Sequence, residues 1–483
     1  MNEIANPCCA TSGKADNRDD FDLVVIGAGS AGFSASITAA GLGARVALIG
    51  YGAIGGTCVN FGCVPSKALI RAAEALHHSR SASRFAGIRG GAELVDWRAL
   101  IAQKDELVSD LRQAKYHDLL PSYDNVTYIE GAARLTSEDV GVAVAVNGNM
   151  VTAGKIIIAT GSRAAAPPIS GIADIPCLTS RTALALEQLP ASLLVIGAGY
   201  VGCELAQMFA RAGVVVTLVC RSRVLPDAEP EISEALAGVF RDEGLTVITG
   251  AAYRAIHQED NRVVLELDGG ERLTAEKVLV STGRRPNTDG LGLGDAGVAL
   301  DERGGILVND HLQTTNPKIH AAGDVTGRDQ FVYMAAYGAR LAAENALDGN
   351  RRVYDASAMP VVTFTDPQVA SVGLTEQQAR AEGMAVKTTV LPLDYLPRAL
   401  AARDTRGLIK LVADKQTDRL LGAHVMAPEG ADSIQTAALA VRHGLTTQDL
   451  ADMIFPYLTT VEGLKLAAQS FDKDVTKLSC CAG

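Results

Sequence analysis

The pattern of apolar and polar stretches after Phe21 predicts a strand, a turn, a helix and a second strand. The apolar run FDLVVIG is followed by the glycine-rich turn GAGSAG, the helical stretch FSASITAAGLG and the second apolar run ARVALIG. In this context the turn is a G-x-G-x-x-G motif, whose glycines let a dinucleotide pyrophosphate approach the N-terminus of the helix. The predicted contacts in this unit are Gly27, Gly29, Ser30, Ala31 and Gly32.

The same pattern returns in the middle of the chain. The stretch ASLLVIGAGYVGCELAQMFARAGVVVTLVCRSR repeats the strand, turn, helix and strand, and Gly197 lies 170 residues after Gly27. Two such units imply two bound dinucleotides. The predicted contacts in the second unit are Gly197, Gly199, Tyr200, Val201, Gly202 and Glu204.

The ends of the second strands differ from the usual pattern in both units. The first unit ends in Gly50-Tyr51, without the carboxylate that usually holds the ribose hydroxyls, so the ribose must be bound by another group. The second unit carries Arg221 and Arg223, which suit a 2′-phosphate and favour NADPH over NADH. The alternative is that both arginines are solvated surface charges.

The remaining segments define a fold class and domain boundaries. We predict an α/β protein with two Rossmann-like dinucleotide-binding domains and a C-terminal α+β dimerisation domain. The interface domain is expected because the region after Ala356 alternates strands and helices without a glycine fingerprint. The predicted divisions are a disordered tail at 1–20, a first dinucleotide domain at 21–165 and 286–355, a second at 166–285, and an interface domain at 356–483.

A cysteine pair in the stretch GGTCVNFGCVPSKAL carries the candidate chemistry. Cys58 and Cys63 are separated by four residues, follow a Gly-Gly pair and precede Pro65 and Lys67, where a glycine-rich loop turns into a helix. Backbone N–H groups and the helix dipole favour thiolates at such a position. A structural zinc site is excluded because no second Cys or His pair lies at ligand spacing nearby. The alternative is a pair of buried, inert cysteines.

Composition limits the partners and the compartment. The chain of 483 residues is 48% hydrophobic and 20% charged, which is typical of a soluble globular protein. The net charge of −11 argues against nucleic acid or anionic membranes as partners. The N-terminal stretch has no signal-peptide pattern, and nine cysteines are too few for a disulfide scaffold. We therefore expect a cytoplasmic protein that does not insert into membranes.

These motifs together resemble the flavin-dependent pyridine nucleotide–disulfide oxidoreductases from Phe21 onward, and the string GGTCVNFGCVPSK is the most specific. The resemblance implies that the first unit binds FAD, that the second binds NADPH, and that Cys58 and Cys63 are the redox-active pair. Cys63 would be the charge-transfer thiolate beside the flavin and Cys58 the outward, exchanging thiol. Further residues that the resemblance places at the cofactors are Gly56, Thr57, Lys67, Thr160, Gly161, Arg221, Arg223, Gly283, Gly323 and Asp324.

The resemblance also assigns partners within the site. Lys67 matches a lysine near the reactive nitrogen of the flavin, and Glu204 matches the glutamate that pairs with this lysine. The family works as a homodimer in which the C-terminal domain completes the active site of the partner subunit.

Two departures select a branch of the family. Disulfide reductases carry a His-Pro-Thr-x-x-Glu string whose histidine protonates the leaving thiolate, and here the string runs from Tyr457 to Glu462. A tyrosine, with a pKa of about 10, is a poor acid at neutral pH, but it can donate a hydrogen bond beside a metal-bound sulfur. The adjacent Cys480 and Cys481 are suited to a soft, two-coordinate cation such as Hg(II).

With these two departures, the sequence resembles the branch of the family that reduces Hg(II) to Hg(0), in a form that lacks an N-terminal metal-binding domain. Hg(II)–thiol complexes would be captured by Cys480 and Cys481 of one subunit and passed to Cys58 and Cys63 of the other, in a composite site of the homodimer. Tyr200 and Tyr457 would flank that site with Glu462, although Tyr200 has an alternative role as the gate over the flavin that NADPH displaces. Cys8 and Cys9 would be at most a weak delivery site.

Two other functions remain open from the sequence. High-molecular-weight thioredoxin reductases also end in a cysteine pair, but they retain the histidine. A non-catalytic flavoprotein that buffers thiophilic metal is the alternative outside enzymes.

Overall fold

The computed structural model describes residues 20–138 and 141–477. The predicted disordered tail, with Cys8 and Cys9, and the terminal pair Cys480 and Cys481 lie outside the described residues. In these two ranges no helix combines the length and the hydropathy that a bilayer crossing requires.

In chain order the strands are β1 (Phe21–Ile26), β2 (Val46–Gly50), β3 (Val126–Glu130), β4 (Ala133–Glu138), β5 (Gly141–Val146), β6 (Asn149–Ile158), β7 (Ser162–Ala164), β8 (Ser192–Ile196), β9 (Val215–Val219), β10 (Thr246–Ile248), β11 (Tyr253–Glu259), β12 (Arg262–Leu267), β13 (Arg272–Ala275), β14 (Lys277–Val280), β15 (Arg284–Pro286), β16 (Ile319–Ala321), β17 (Val361–Thr363), β18 (Gln368–Gly373), β19 (Val386–Pro392), β20 (Leu408–Asp414) and β21 (Leu420–Ala427).

The α-helices are α1 (Ser30–Gly41), α2 (Gly56–Phe61), α3 (Cys63–Arg80), α4 (Trp97–Arg112), α5 (Ser180–Ala183), α6 (Tyr200–Arg211), α7 (Pro230–Asp242), α8 (Val332–Asp348), α9 (Glu376–Ala381), α10 (Pro397–Ala402), α11 (Gly430–His443), α12 (Thr447–Asp452) and α13 (Glu462–Gln469). Short 3₁₀ segments lie at Ser81–Arg84, Leu120–Ser122, Ile172–Asp174, Asp324–Thr326, Leu393–Tyr395 and Val475–Lys477, and a π-helical turn lies at Gln113–His117.

One compact unit contains the first glycine motif. It comprises the chain up to Gly52, Leu120–Thr160 and Thr288–Arg352. Its sheet has the order β3-β2-β1-β6-β5-β4, and β16 also pairs with β6. The pairs β1 with β2, β1 with β6, β2 with β3 and β6 with β16 are parallel, which is the arrangement of a dinucleotide-binding fold. Helix α1 packs against α8.

The second compact unit contains the cysteine loop and the second glycine motif. It comprises Ala53–Leu119, Gly161–Asn287 and the chain from Val353 onward. It holds a parallel sheet β10-β9-β8-β14, an antiparallel sheet β11-β12-β13, the pair β7 and β15, and a five-stranded antiparallel sheet β17-β18-β21-β20-β19. The predicted α/β class with two Rossmann-like units and a C-terminal α+β domain is therefore confirmed.

The cysteine loop and α3 group with the second glycine motif, whereas the sequence assigned them to the first dinucleotide domain. A continuous apolar core accounts for this grouping, since Leu69 and Ala73 of α3 lie in the same buried cluster as Phe209 of α6 and Phe240 of α7. The predicted domain boundaries themselves stay a prediction.

A buried lysine joins two segments of the second unit. The Lys410 side chain is only 3% exposed, and its Nζ lies 3.0 Å from Glu229, 2.9 Å from Glu231 and 3.1 Å from Glu376. Lys410 belongs to β20, Glu229 precedes α7 and Glu376 starts α9. The lysine therefore ties the second glycine-motif fold to the C-terminal sheet.

Replacing this lysine should destabilise the protein strongly. Lys410→Ala leaves the buried Glu229 carboxylate without its cation, which costs about 3–5 kcal/mol and should lower the thermal unfolding midpoint in calorimetry. Lys387→Ala is the matched control, because its 2.6 Å pair with Asp418 is about 30% exposed on both sides and such pairs contribute about 0–1 kcal/mol. Equal shifts for the two variants would contradict the assigned role of Lys410.

Candidate redox-active site

The cysteine pair is held by a tight turn and two successive helices. Gly55 has φ +88° at the start of α2, and a Cβ at this position would lie 2.6 Å from a methyl carbon of Val59. Cys58 lies in α2, and Cys63 is the first residue of the 18-residue α3. The Asn60 amide donates to two backbone carbonyls of the loop at 2.8 Å each. The loop therefore fixes both thiols at the beginning of α3.

The two cysteines carry free thiols that are half-buried and electrostatically unequal. The hydrogen bond from Cys58 to the Cys63 sulfur has the largest effect and lowers the pKa of Cys63 to about 7; burial opposes it and the Lys67 charge assists it. The same hydrogen bond, together with burial, raises the pKa of Cys58 far above its usual range. As the pH rises through about 7, the pair therefore ionises at Cys63, while Cys58 stays a thiol.

Lys67 is fixed by a glutamate and an aromatic ring. Its Nζ lies 2.6 Å from Glu204 Oε2 and 4.7 Å from the centroid of the Phe364 ring. The other carboxylate oxygen of Glu204 accepts a hydrogen bond from the Phe364 backbone N–H at 2.9 Å. Glu204 is only 5% exposed, so the carboxylate of this ion pair is shielded from solvent, whereas the Lys67 side chain is 32% exposed. The structure thus brings together Lys67 and Glu204, as the sequence predicted.

A polar network that the sequence did not predict continues along α6. Gln207 and the backbone of Asp366 exchange two hydrogen bonds of 2.8 Å, and Arg211 Nη1 lies 3.0 Å from the Asp366 carboxylate. Burial alone would raise the pKa of Asp366, but the hydrogen bond from His78 and the charges of Arg211 and Arg406 hold this pKa well below its usual range. The polar positions 204, 207 and 211 share one face of α6, and this spacing was the available signal.

The first glycine motif has the geometry that a pyrophosphate requires. Gly27 has φ +119°, and a Cβ there would lie 2.3 Å from the Ala159 carbonyl oxygen. A Cβ at Gly32 would lie 1.7 Å from the Gly27 carbonyl oxygen, so neither position accepts another residue. The backbone N–H groups of the first turn of α1, which begins at Ser30, are therefore open to a phosphate. In the same unit Gly323 has φ +77° and precedes the 3₁₀ turn that Asp324 begins.

The second glycine motif repeats this geometry. Gly197 has φ +103°, and a Cβ at Gly202 would lie 2.0 Å from the Gly197 carbonyl oxygen. Tyr200 is the first residue of α6, and burial together with the Asp227 charge raises its pKa to about 12. Tyr200 is thus a neutral hydroxyl at physiological pH.

The two arginines after β9 have different environments. Arg221 is exposed, whereas the Arg223 Nη2 donates to the backbone carbonyls of Pro226 and Ala228 at 2.8 and 2.7 Å. These hydrogen bonds hold Arg223 against the turn before α7. This contact could not be predicted from the glycine motif, because it depends on the path of the chain after β9. Of the two predicted phosphate ligands, Arg221 is therefore the one whose environment suits the role.

The remaining predicted residues are placed as follows. Thr57 is exposed in α2, and Gly161 and Gly283 immediately precede the paired strands β7 and β15. Glu462 begins α13 and accepts the Leu458 backbone N–H at 3.0 Å, and burial raises its pKa. The Tyr457 side chain is half-exposed in the preceding loop.

Two family models match the chain. Residues 21–343 match the pyridine nucleotide–disulphide oxidoreductases, and residues 359–468 match the dimerisation domain of that family. The chain belongs to the pyridine nucleotide–disulphide oxidoreductases and is an oxidoreductase. The predicted homodimer and the predicted cofactors, FAD and NADPH, are confirmed at the level of the family, and both glycine motifs fit dinucleotide pyrophosphates.

Several relatives carry a more specific name. A mercuric reductase of Lysinibacillus sphaericus is 48% identical over 471 residues, covering 97% of this chain and 85% of the relative. A mercuric reductase of Streptomyces lividans is 48% identical over 473 residues, covering 96% of this chain and 98% of the relative. A mercuric reductase of Bacillus cereus is 47% identical over 468 residues, covering 96% of this chain and 73% of the relative.

Solved structures share the fold over nearly the whole chain. The HOCl-induced flavoprotein disulfide reductase RclA from Escherichia coli, as a Cu(II) complex, has a TM-score of 0.83 at 32% identity, covering 95% of this chain and all of that chain. LpdA from Mycobacterium tuberculosis also has a TM-score of 0.83, at 26% identity, covering 93% of this chain and all of that chain.

The unequal thiols predict a pH dependence of labelling. In the reduced enzyme under anaerobic conditions, alkylation of Cys63 by iodoacetamide should rise with pH around a midpoint of about 7, because only the thiolate reacts. Cys58→Ala removes the hydrogen-bond donor and should move the midpoint upward, whereas Cys177→Ala, at a half-buried thiol outside the pair, should leave it unchanged. Peptide mass spectrometry follows the label. A wild-type midpoint near 8.5, the value of a free cysteine, would contradict a stabilised thiolate.

Because the two arginines have different environments, their substitution by alanine should have different effects on nucleotide binding. Arg221→Ala should weaken NADPH binding about 10-fold or more and change NADH binding little, since a charge-assisted hydrogen bond contributes about 1.5–3 kcal/mol. Arg223→Ala should instead lower the thermal midpoint and weaken both nucleotides alike. Titrations of both nucleotides by calorimetry distinguish the two patterns. Loss of NADPH selectivity in the Arg223 variant alone would reverse the assignment.

Proposed function

We propose that the chain catalyses the NADPH-dependent reduction of Hg(II) to Hg(0) through FAD and the pair Cys58 and Cys63. The observation that carries the proposal is the pair of free thiols in which the Cys58 hydrogen bond and the Lys67 charge lower the pKa of Cys63. Two sulfur ligands suit a soft, linear cation. The mercuric reductases named above, at 47–48% identity over 96–97% of this chain, support the choice of metal.

The pair would bind the metal in two exchanges. The Cys63 thiolate attacks Hg(II) and displaces one thiolate of the incoming complex, which leaves as a thiol after taking up a proton. Cys58 then loses its proton and displaces the second ligand. Lys67 supplies positive charge near the two sulfurs and Glu204 holds it in place, so the negative charge gathered at the site is partly balanced.

The overall reaction balances in electrons and protons. Bound FAD supplies the route by which the two electrons of NADPH reach the site. For a dithiolate complex, Hg(SR)₂, NADPH and one proton give Hg(0), two thiols and NADP⁺. Both Hg–S bonds break in the reduction, one of the two released sulfurs takes up a proton, and Cys58 and Cys63 are left as a thiol and a thiolate. Because the cysteine pair ends as it began, a second metal ion can enter without a separate reductant for the protein.

Metal delivery is assigned to the terminal pair. We propose that Cys480 and Cys481 of one subunit capture Hg(II) from small thiols and pass it to the Cys58–Cys63 pair of the partner subunit. The terminal pair lies outside the described residues, so its support comes from the sequence alone. Tyr457 would donate a hydrogen bond beside a metal-bound sulfur, where disulfide reductases need a histidine acid.

The substrate is tested by one comparison of electron acceptors. NADPH oxidation should be rapid with Hg(II) in excess thiol and near background with oxidised glutathione or an oxidised thioredoxin, and evolved mercury vapour should match NADPH consumed in a 1:1 ratio. Preference for either disulfide would refute the proposal and favour a disulfide reductase. Stoichiometric metal binding without NADPH oxidation would favour a metal-buffering flavoprotein.

Delivery across the dimer is tested by complementation. The double variant Cys480→Ala, Cys481→Ala should lose most turnover of Hg(II) bound to bulky thiols, while flavin reduction by NADPH remains normal. The matched variant Cys58→Ala, Cys63→Ala should also be inactive. Purified heterodimers of the two should recover part of the activity, because one composite site is intact. Absence of recovery would assign the tail to its own subunit, and full activity of the tail variant would exclude it as the entry ligand.

A further inference from the structure

The carboxyl end of β2 has no space for the acid that usually binds the ribose. A Cβ at Gly50 would lie 2.7 Å from the Tyr128 hydroxyl oxygen and 2.7 Å from the Ala28 Cβ, and Gly50 itself is buried. Contacts this short require the neighbours to move, and Ala28 belongs to the glycine turn itself. The usual carboxylate is therefore excluded at position 50 by its surroundings.

The neighbouring strand carries a carboxylate at the same level. Strands β2 and β3 are parallel, with Leu48 opposite Tyr128 and Gly50 opposite Glu130, and the Gly131 N–H donates to the Gly50 carbonyl at 2.7 Å. Residues in register on parallel strands present their side chains to the same face of the sheet. Glu130 therefore lies on the face that a side chain at position 50 would occupy.

Tyr128 and Glu130 are electrostatically coupled, which supports their proximity. Burial raises the pKa of the Tyr128 hydroxyl, and the negative charge of Glu130 raises it further. The Tyr128 ring fills the volume beside Gly50, whereas the Glu130 side chain is exposed and free to turn toward a ligand at the strand ends. A glutamate side chain can span the separation of adjacent strands, about 4.8 Å.

We propose that Glu130 accepts the hydrogen bonds of the adenosine ribose hydroxyls of FAD, in place of an acid at the end of β2. An ionised carboxylate has two acceptor oxygens and can accept from both vicinal hydroxyls. Tyr128 fills space and positions the strand end. This inference rests on the family's use of FAD and not on the metal substrate, so its test needs no metal.

The test measures FAD binding to the deflavinated full-length protein by the quenching of flavin fluorescence. Glu130→Gln should weaken FAD binding about 10-fold or more, because it removes a charge-assisted hydrogen bond. Asp124→Asn, at an exposed acid before the amino end of β3, is the matched control and should bind FAD as the wild type does. Equal affinities for Glu130→Gln and the wild type would overturn the proposal.

A ligand lacking the ribose 2′-hydroxyl separates a direct contact from a general charge effect. The wild type should bind FAD with a 2′-deoxyadenosine moiety more weakly than FAD, and Glu130→Gln should discriminate little between the two. Equal discrimination in both proteins would overturn a direct contact. Tyr128→Phe keeps the ring and should bind FAD normally. If this variant alone lost affinity, the ribose ligand would be the tyrosine hydroxyl and not Glu130.

Discussion

A half-buried thiolate is the constraint on which the candidate site depends. Removing the Cys63 sulfur from water disfavours its charged form, so the anion exists near neutral pH only if its surroundings compensate. The Cys58 thiol does so with a hydrogen bond and Lys67 with its charge, while the N-terminus of α3 contributes its dipole. All of these groups lie within residues 55–67, a stretch of thirteen residues that begins at the turn of Gly55.

Lys67 in turn depends on residues that are distant in sequence. Its carboxylate partner, Glu204, lies on the glycine-motif helix α6, and its aromatic contact, Phe364, follows β17 of the C-terminal sheet. Further along α6, Arg211 and Asp366 form a second buried ion pair between the same segments. Buried pairs of this kind are costly to break singly. The electrostatics of the cysteine pair are therefore built into the packing of the second unit.

Short-range features of the site could be predicted from residue type, the long-range contact of Lys67 with Glu204 could be predicted only through the family resemblance, and other features set by the path of the chain could not be predicted. The glycine motifs and the cysteine loop are contiguous strings whose backbone requirements follow from residue type, as the positive φ values of Gly27 and Gly197 illustrate. Arg223 donates hydrogen bonds to two backbone carbonyls of the turn that follows it, and the shape of this turn cannot be predicted from the pattern of apolar and polar residues. The sequence likewise showed that an acid was missing at Gly50, but the position of Glu130 required the register of β2 and β3.

The proposed metal reduction does not need the histidine acid of disulfide reductases, whose place in the sequence Tyr457 takes. Reducing a disulfide releases a thiolate that must be protonated, and a group with a pKa near neutrality does this best. In the proposed metal reduction, the electrons enter the metal and the two sulfurs that are released are the protein's own. Their protonation state is governed by the Cys58–Cys63 hydrogen bond and by Lys67, which already favour one thiol and one thiolate. An external acid is then dispensable for the reduction step, and a tyrosine at position 457 is compatible with the proposed turnover.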